Sequence, residues 1–186
     1  MITLNGVLSV ALTLFLVIDV MGNVPYILNI RQKTGPLNPT AIVLFSALLL
    51  LLFTFFGESL LRLLGIDVSS FALAGSVVLL LLALEMILGI SIFQIEGSER
   101  SGGIVPVAFP LLVGVGTLTT VIALRTQHRL GDLLGGIAIN LLIIYVVLLA
   151  LDWLDRKLGP QVLIVLKKFF GILLLAIAVQ LFRTYA

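Results

Sequence analysis

The chain has 186 residues, of which 61% are hydrophobic and only 11% charged, and its mean hydropathy is +1.29. Soluble domains carry roughly 25% charged residues, so this composition excludes a water-soluble globule and makes lipid the solvent. A net charge of +2 without a basic cluster argues against a nucleic-acid partner, and the absence of cysteine excludes disulfides and thiolate metal sites.

A membrane-crossing helix takes about 20 residues at ~1.5 Å rise, so the length suits about six spans joined by short loops. Span 1 is expected from Leu4 to Ile30. No Lys or Arg precedes its apolar stretch, which therefore reads as a retained span and not as a signal peptide. Arg31 to Pro36 form a loop, span 2 runs from Pro39 to Leu61, and Arg62 to Asp67 turn the chain. Span 3 covers Ser69 to Ile95, and the polar stretch from Glu96 to Gly103 is the mid-chain linker. Span 4 runs from Ile104 to Leu124, span 5 from Leu130 to Leu151 and span 6 from Val162 to Phe182, with a loop expected from Asp152 to Pro160.

Spans 1 and 4 are interrupted. Asp19-Val20-Met21-Gly22-Asn23-Val24-Pro25 places an acid, a glycine, an amide and a proline inside the first apolar run. Pro106, Pro110, Gly114, Gly116 and Thr117 break the fourth. Pro25 cannot donate to the Met21 carbonyl, nor Pro110 to that of Pro106. Non-helical backbone is not tolerated against lipid, so both breaks must be packed inside or line a wet cavity. Paired interruptions in two half-sequences are the best sequence pointer to a transporter's binding site.

A weak internal symmetry supports two halves. Val20 and Val115 stand 95 positions apart, as do Ala83 and Ala178, and Glu85 and Gln180. Gly65 with Gly159, and Gly75 with Gly171, fit within one residue. The expected organisation is a three-span repeat over 1–95, a connecting loop over 96–103 and a second three-span repeat over 104–186. An odd number of spans per half inverts one half relative to the other. With the N-terminus outside, inner segments carry Arg31, Lys33, Arg100, Arg156, Lys157, Lys167 and Lys168, against Arg62, Arg125, Arg129 and Arg183 outside. That excess favours both termini outside.

The Asp19-x-x-Gly22-Asn23-x-Pro25 motif and Pro110-Leu-Leu-Val-Gly114-x-Gly116-Thr117 resemble the paired motifs of the MarC family. Gly65-Ile66 before span 3, and Gly75 through Ala83-Leu-Glu85-Met86-Ile87 within it, fit the same pattern, so the resemblance covers the whole chain. That family comprises bacterial and archaeal inner-membrane proteins, also called the small neutral amino acid transporter group. The resemblance implies two inverted three-helix repeats, similar in build to the lysine-exporter superfamily. It further implies proton-coupled transport of small neutral amino acids such as glycine and alanine. Family motifs usually carry a proline where Val20 and Val115 stand; both positions depart together.

An interrupted helix offers a new N-terminus whose N–H groups and dipole favour an anion. Asn23 suits the N-cap before Pro25, and Thr117, Thr119 and Thr120 suit the same role in span 4. The residues expected to bind substrate are Asp19, Met21, Gly22, Asn23, Pro25, Pro110, Gly114, Gly116, Thr117 and Thr120. The new N-termini would hold the substrate carboxylate, and the freed carbonyls or Asp19 its ammonium. Asp19 and Glu85 are the only acids well inside apolar runs, with no Lys or Arg expected at their depth, which makes them the proton-carrying candidates. The plainer alternatives are that Pro and Gly merely kink these helices, that Asp19 only orients the unwound backbone, and that Glu85 makes an interhelical hydrogen bond. Asn5 and Asn140 are expected to hydrogen-bond between helices, His128 to lie in a solvated turn, and Lys167-Lys168 to reach headgroups.

Without a phosphate-binding loop, ATP is not the expected driver. With one loop histidine and acids in separate spans, no enzyme and no cofactor are expected. The expected partners are a small neutral amino acid, protons and membrane lipid, at the inner membrane. The competing reading is a channel or a non-transporting membrane scaffold.

Overall fold

In the computed structural model, residues 3–90 and 103–186 are described. Their regular structure is all helical: α1 (Leu4–Ile18), α2 (Val24–Thr34), α3 (Pro39–Leu63), α4 (Val68–Leu88), α5 (Ile104–Pro106), a π-helical turn (Val107–Leu112), α6 (Val115–Gln127), α7 (Leu130–Leu149) and α8 (Leu151–Tyr185). Three whole helices, α3, α4 and α7, are long and apolar enough to cross a bilayer, as is the Ile164–Tyr185 portion of α8. At 15 residues α1 reaches only about 22 Å, against ~30 Å of hydrocarbon.

Side chains close the helix starts. Thr3, Asn38 and Asp67 accept from the N–H groups of Gly6 (3.3 Å), Ala41 (3.1 Å) and Ser70 (2.9 Å), which satisfies donors that have no partner within the helix. The carboxylate of Asp67 also accepts from the hydroxyls of Ser69 and Ser70. Those donors, Ser69 first, hold its pKa well below the usual 3.8. A carboxyl whose folded pKa is depressed stabilises the fold above its unfolded pKa, and that stabilisation fades as pH falls below about 4. In detergent, Asp67→Asn should therefore melt lower than the parent at pH 7, with the gap narrowing toward pH 3. A gap independent of pH would show that the charge is irrelevant to the cap.

The broadest helix contact joins α4 to α8, and the next joins α1 to α7. One core cluster includes Val10, Leu14, Ile18, Ile27, Leu50, Leu112, Val121, Leu133 and Ile144. A second joins Val17 to Leu79, Ala83 and Met86 of α4 and to Leu174 and Ala178 of α8. Against α1, buried Asn140 of α7 donates to the Ala11 carbonyl (3.0 Å) and to Gly136 O (2.9 Å), as an interhelical amide should. Buried Asp132 of α7 accepts from Thr3 N (2.7 Å) and Thr3 Oγ1 (3.1 Å). Outward faces leave Leu44, Phe55 and Phe56 of α3, Leu142 and Val146 of α7 and Phe169 and Ile172 of α8 exposed, a surface suited to acyl chains.

Three sequence expectations change. Span 3 does not continue helically to Ile95: α4 stops at Leu88, where Gly89 takes a left-handed conformation (φ 72°) and donates to Glu85 O. Residues 91–95 and most of the 96–103 linker lie outside the described residues. The loop expected from Asp152 to Pro160 is instead the first part of α8, bent at Gly159 (φ 55°, ψ 161°). Leu151 and Leu154 are buried there while Asp152, Trp153, Arg156 and Lys157 are exposed, so that stretch is amphipathic and helical. Arg31, in the last turn of α2, pairs with Asp152 at 2.6 Å and holds that carboxyl below its ordinary value. Asn5, expected between helices, is exposed.

Candidate functional site

The first break forms at one residue. α1 ends where Asp19 adopts a left-handed conformation (φ 47°, ψ 48°), which aspartate tolerates better than most residues. Its N–H donates to Phe15 O (3.0 Å), and its Oδ1 accepts from Gly22 N (3.1 Å). A turn closed by Asn23 N to Asp19 O (3.0 Å) then redirects the chain into α2, with Pro25 in the first turn. Asp19 is buried, and its Oδ2 has no hydrogen-bond partner among the described residues.

The second break is longer. Phe109, which precedes Pro110, is extended (φ −139°, ψ 130°), as a residue before proline prefers. Val113 N reaches back five residues to Ala108 O (2.9 Å), which closes a wide π turn containing Pro110. Extended Gly114 then starts α6.

Both breaks open on one cavity of about 210 Å³. Asp19, Asn23 and Tyr26 line it from the first break, Gly114, Val115, Gly116 and Thr117 from the second, and Glu85 and Met86 from α4. Of the expected substrate residues, Asp19, Asn23, Gly114, Gly116 and Thr117 therefore share one wall system with Glu85. Met21 instead packs against the larger core cluster. Gly22 is buried behind Asp19, and Pro25 opens α2. Thr120 is buried and donates to Gly116 O (2.8 Å).

The expected capping roles are not the ones observed. Asn23 does not cap α2; its Nδ2 donates backwards to Ile18 O (3.2 Å) and satisfies the end of α1. Thr117 donates to Leu112 O (3.1 Å) and Thr119 to Val115 O (2.8 Å), so neither caps α6. A hydroxyl or amide is amphoteric, and at a break with carbonyls also lacking partners it serves the nearer acceptor. The start of α6 thus faces the cavity with its N–H groups uncapped by side chains. A helix start carries the positive end of the dipole, and the end of α1 beside Asp19 carries the negative end. The cavity is polarised accordingly.

Glu85 has a cation within reach, contrary to expectation. Tyr26 Oη donates to Glu85 Oε1 (2.7 Å), and Lys167 Nζ donates to Tyr26 Oη (2.8 Å) while lying 4.3 Å from the ring centroid. Lys167 does not extend to headgroups, because close packing of α8 on α4 points it inward; a Cβ at Gly171, one turn on, would stand 2.9 Å from Met86 Cβ. Lys168 is exposed. Gln180, the sequence counterpart of Glu85, is exposed and away from this cavity. Tyr26 and Lys167 were missed by the sequence reading. Tyr26 stands three residues after Asn23, on the same helix face, which was the available signal; nothing in the sequence gives the direction of Lys167.

Among the described residues no cluster of three or more His, Asp or Glu side chains is arranged to hold a metal ion. No solved structure matches the chain. The inner membrane protein YhgN of Escherichia coli, of the UPF0056 group, is 30% identical over 194 residues, covering 96% of this chain and 95% of that protein. A UPF0056 membrane protein of Methanocaldococcus jannaschii is 29% identical over 184 residues, covering 91% and 90%. A second Escherichia coli relative, YhcE, is 28% identical and covers 92% and 87%. Residues 4–184 match the family described as MarC family integral membrane protein. With nearly its whole length matched, the chain belongs to the MarC family of integral membrane proteins.

Proposed function

We propose that this protein is a proton-coupled secondary transporter of small neutral amino acids such as glycine and alanine. One observation carries the reading: two separate helix interruptions end on the same small, polarised cavity. A zwitterion matches that polarity, with its carboxylate at the uncapped start of α6 and its ammonium toward the acids. The volume of about 210 Å³ lies below the ~300–1,000 Å³ of pockets for drug-sized ligands, which favours a small substrate. Glycines 114 and 116 leave backbone as part of the wall, so a small substrate reaches it, and the size of the cavity excludes larger side chains.

In this reading α1 with α2, and α5 through α6, each make one interrupted crossing, which brings the number of spans to six. The halves 1–95 and 104–186 are inverted repeats, with 96–103 as the connection between them. The helix contacts support this: the broken segment of each half packs on the middle helix of the other, α1 on α7, and α5 with its π turn on α3. Both termini lie outside, following the excess of Lys and Arg on the other side.

Uptake of labelled glycine into proteoliposomes, with and without an imposed pH gradient, tests the proposal. Gradient-dependent accumulation is expected. Asp19→Asn or Glu85→Gln, whichever removes the carrier, should leave flux without its gradient dependence. No flux of any small neutral amino acid would return the protein to the channel or scaffold class. Gradient dependence unchanged in both variants would exclude these two carboxyls as the carriers.

A further inference from the structure

We infer that Tyr26 and Glu85 form the subsite for a primary ammonium group, and that Lys167 is an internal cation competing for it. The inference deepens the transport reading and rests on it for the choice of glycine as ligand. Three chemical features that recognise an ammonium ion meet here: a carboxylate, a phenolic oxygen and an aromatic face. Lys167 shows that the arrangement accepts one, with Nζ 2.8 Å from Tyr26 Oη, Tyr26 Oη 2.7 Å from Glu85 Oε1, and Nζ 4.3 Å from the ring centroid. Cations over tyrosine rings within about 6 Å are attracted by the ring quadrupole.

Tyr26 and Glu85 both line the cavity, whereas Lys167 reaches them from α8 and is not among the lining residues. The Tyr26–Glu85 pair is thus addressed from two sides, by a tethered ammonium on Tyr26 and by whatever occupies the cavity. Two cations at one phenol–carboxylate pair repel each other, so an ammonium in the cavity weakens the hold on Lys167, and Lys167 weakens ligand binding. Occupancy of the cavity is thereby linked to the tie between α8 and the pair on α2 and α4. The linkage is reciprocal, as any coupling between two binding events must be. With Glu85 committed to the ammonium group, Asp19, whose Oδ2 has no partner among the described residues, is left for the proton.

Lys167→Met keeps the stem and removes the charge, and Lys167→Arg keeps the charge. Binding of glycine and of ethylammonium chloride to the full chain in detergent would be measured by titration calorimetry and by thermal stabilisation. Lys167→Met should bind both ligands tighter than the parent by on the order of tenfold, and Lys167→Arg should stay within about twofold of the parent. Tighter ethylammonium binding without any glycine binding would uphold the subsite and refute the amino acid reading. Ethylammonium binding that is absent, unchanged or weaker in Lys167→Met overturns the inference, whatever glycine does.

Discussion

Under the proposed transport function, Gly22→Ala is expected to cut gradient-driven glycine uptake by about 5- to 100-fold while the protein still folds and inserts. A Cβ at this position would collide with both carboxylate oxygens of Asp19 and with the Met86 methyl. Met86 ends a flexible side chain and can move aside. Asp19 has a short side chain on a backbone already fixed at φ 47°, and its Oδ1 accepts from the Gly22 N–H. Relief therefore requires rotating the carboxylate off that bond or opening the turn. Overpacking of this kind costs about 1–3 kcal/mol, and each 1.4 kcal/mol is a factor of ten, which sets the range quoted. The readouts are initial uptake rate per reconstituted molecule and melting midpoint in detergent. A parent-like rate would remove the first break from the mechanism; a collapsed melting midpoint would make Gly22 a folding residue.

Gly136→Val should be the most destabilising of these substitutions, at about 2–4 kcal/mol. A Cβ there would collide with Val10 Cγ1 and stand 2.8 Å from Val10 Cβ and 3.0 Å from the backbone nitrogen of Ala11, so the obstacle is the root of a stiff β-branched side chain with helix backbone beside it. Moving α7 outward would stretch the bond from Asn140 to Ala11 O, one turn away, at 3.0 Å. Overpacking contributes about 1–3 kcal/mol, and an interhelical hydrogen bond in a membrane protein about 0.6–1.7 kcal/mol. Gly135→Ala is the control, because its Cβ would meet only the side chain of Val7, at 3.1 Å. Scanning fluorimetry in detergent should show a fall of roughly 5–10 °C for Gly136→Val and a much smaller one for Gly135→Ala. Equal effects would mean that α1 and α7 do not meet at Gly136.

Much of the helix pattern was legible because it depends on short-range chemistry. Hydropathy runs mark α3, α4, α7 and the apolar part of α8 as long helices, since backbone in lipid must satisfy itself within one segment. The interruptions were legible for a related reason. Pro25 and Pro110 have no N–H, and the crowding of a proline ring on the residue before it favours the extended conformation that Phe109 takes. The stretch from Asp152 to Pro160 reads as a loop by its charge density, while Leu151 and Leu154, three apart, are buried on one face of the helix that forms there.

The partners of the polar groups were not legible. By residue type Asn23 and Thr117 suit caps that accept from helix N–H groups, and both instead supply protons to carbonyls, of Ile18 and Leu112. Either use suits an amide or a hydroxyl, and the choice turns on which backbone group lies within about 3 Å. The meeting of Lys167 with Tyr26, 141 positions away in the chain, depends on how far α8 is rotated against α4. From sequence alone came the lipid environment, the long apolar helices and the two places where the backbone leaves the helix, because composition and missing N–H groups act over a few residues. Tertiary structure decided that both gaps face one cavity and that a lysine reaches its acid wall, because those contacts depend on helix rotation and close packing, which no local pattern encodes.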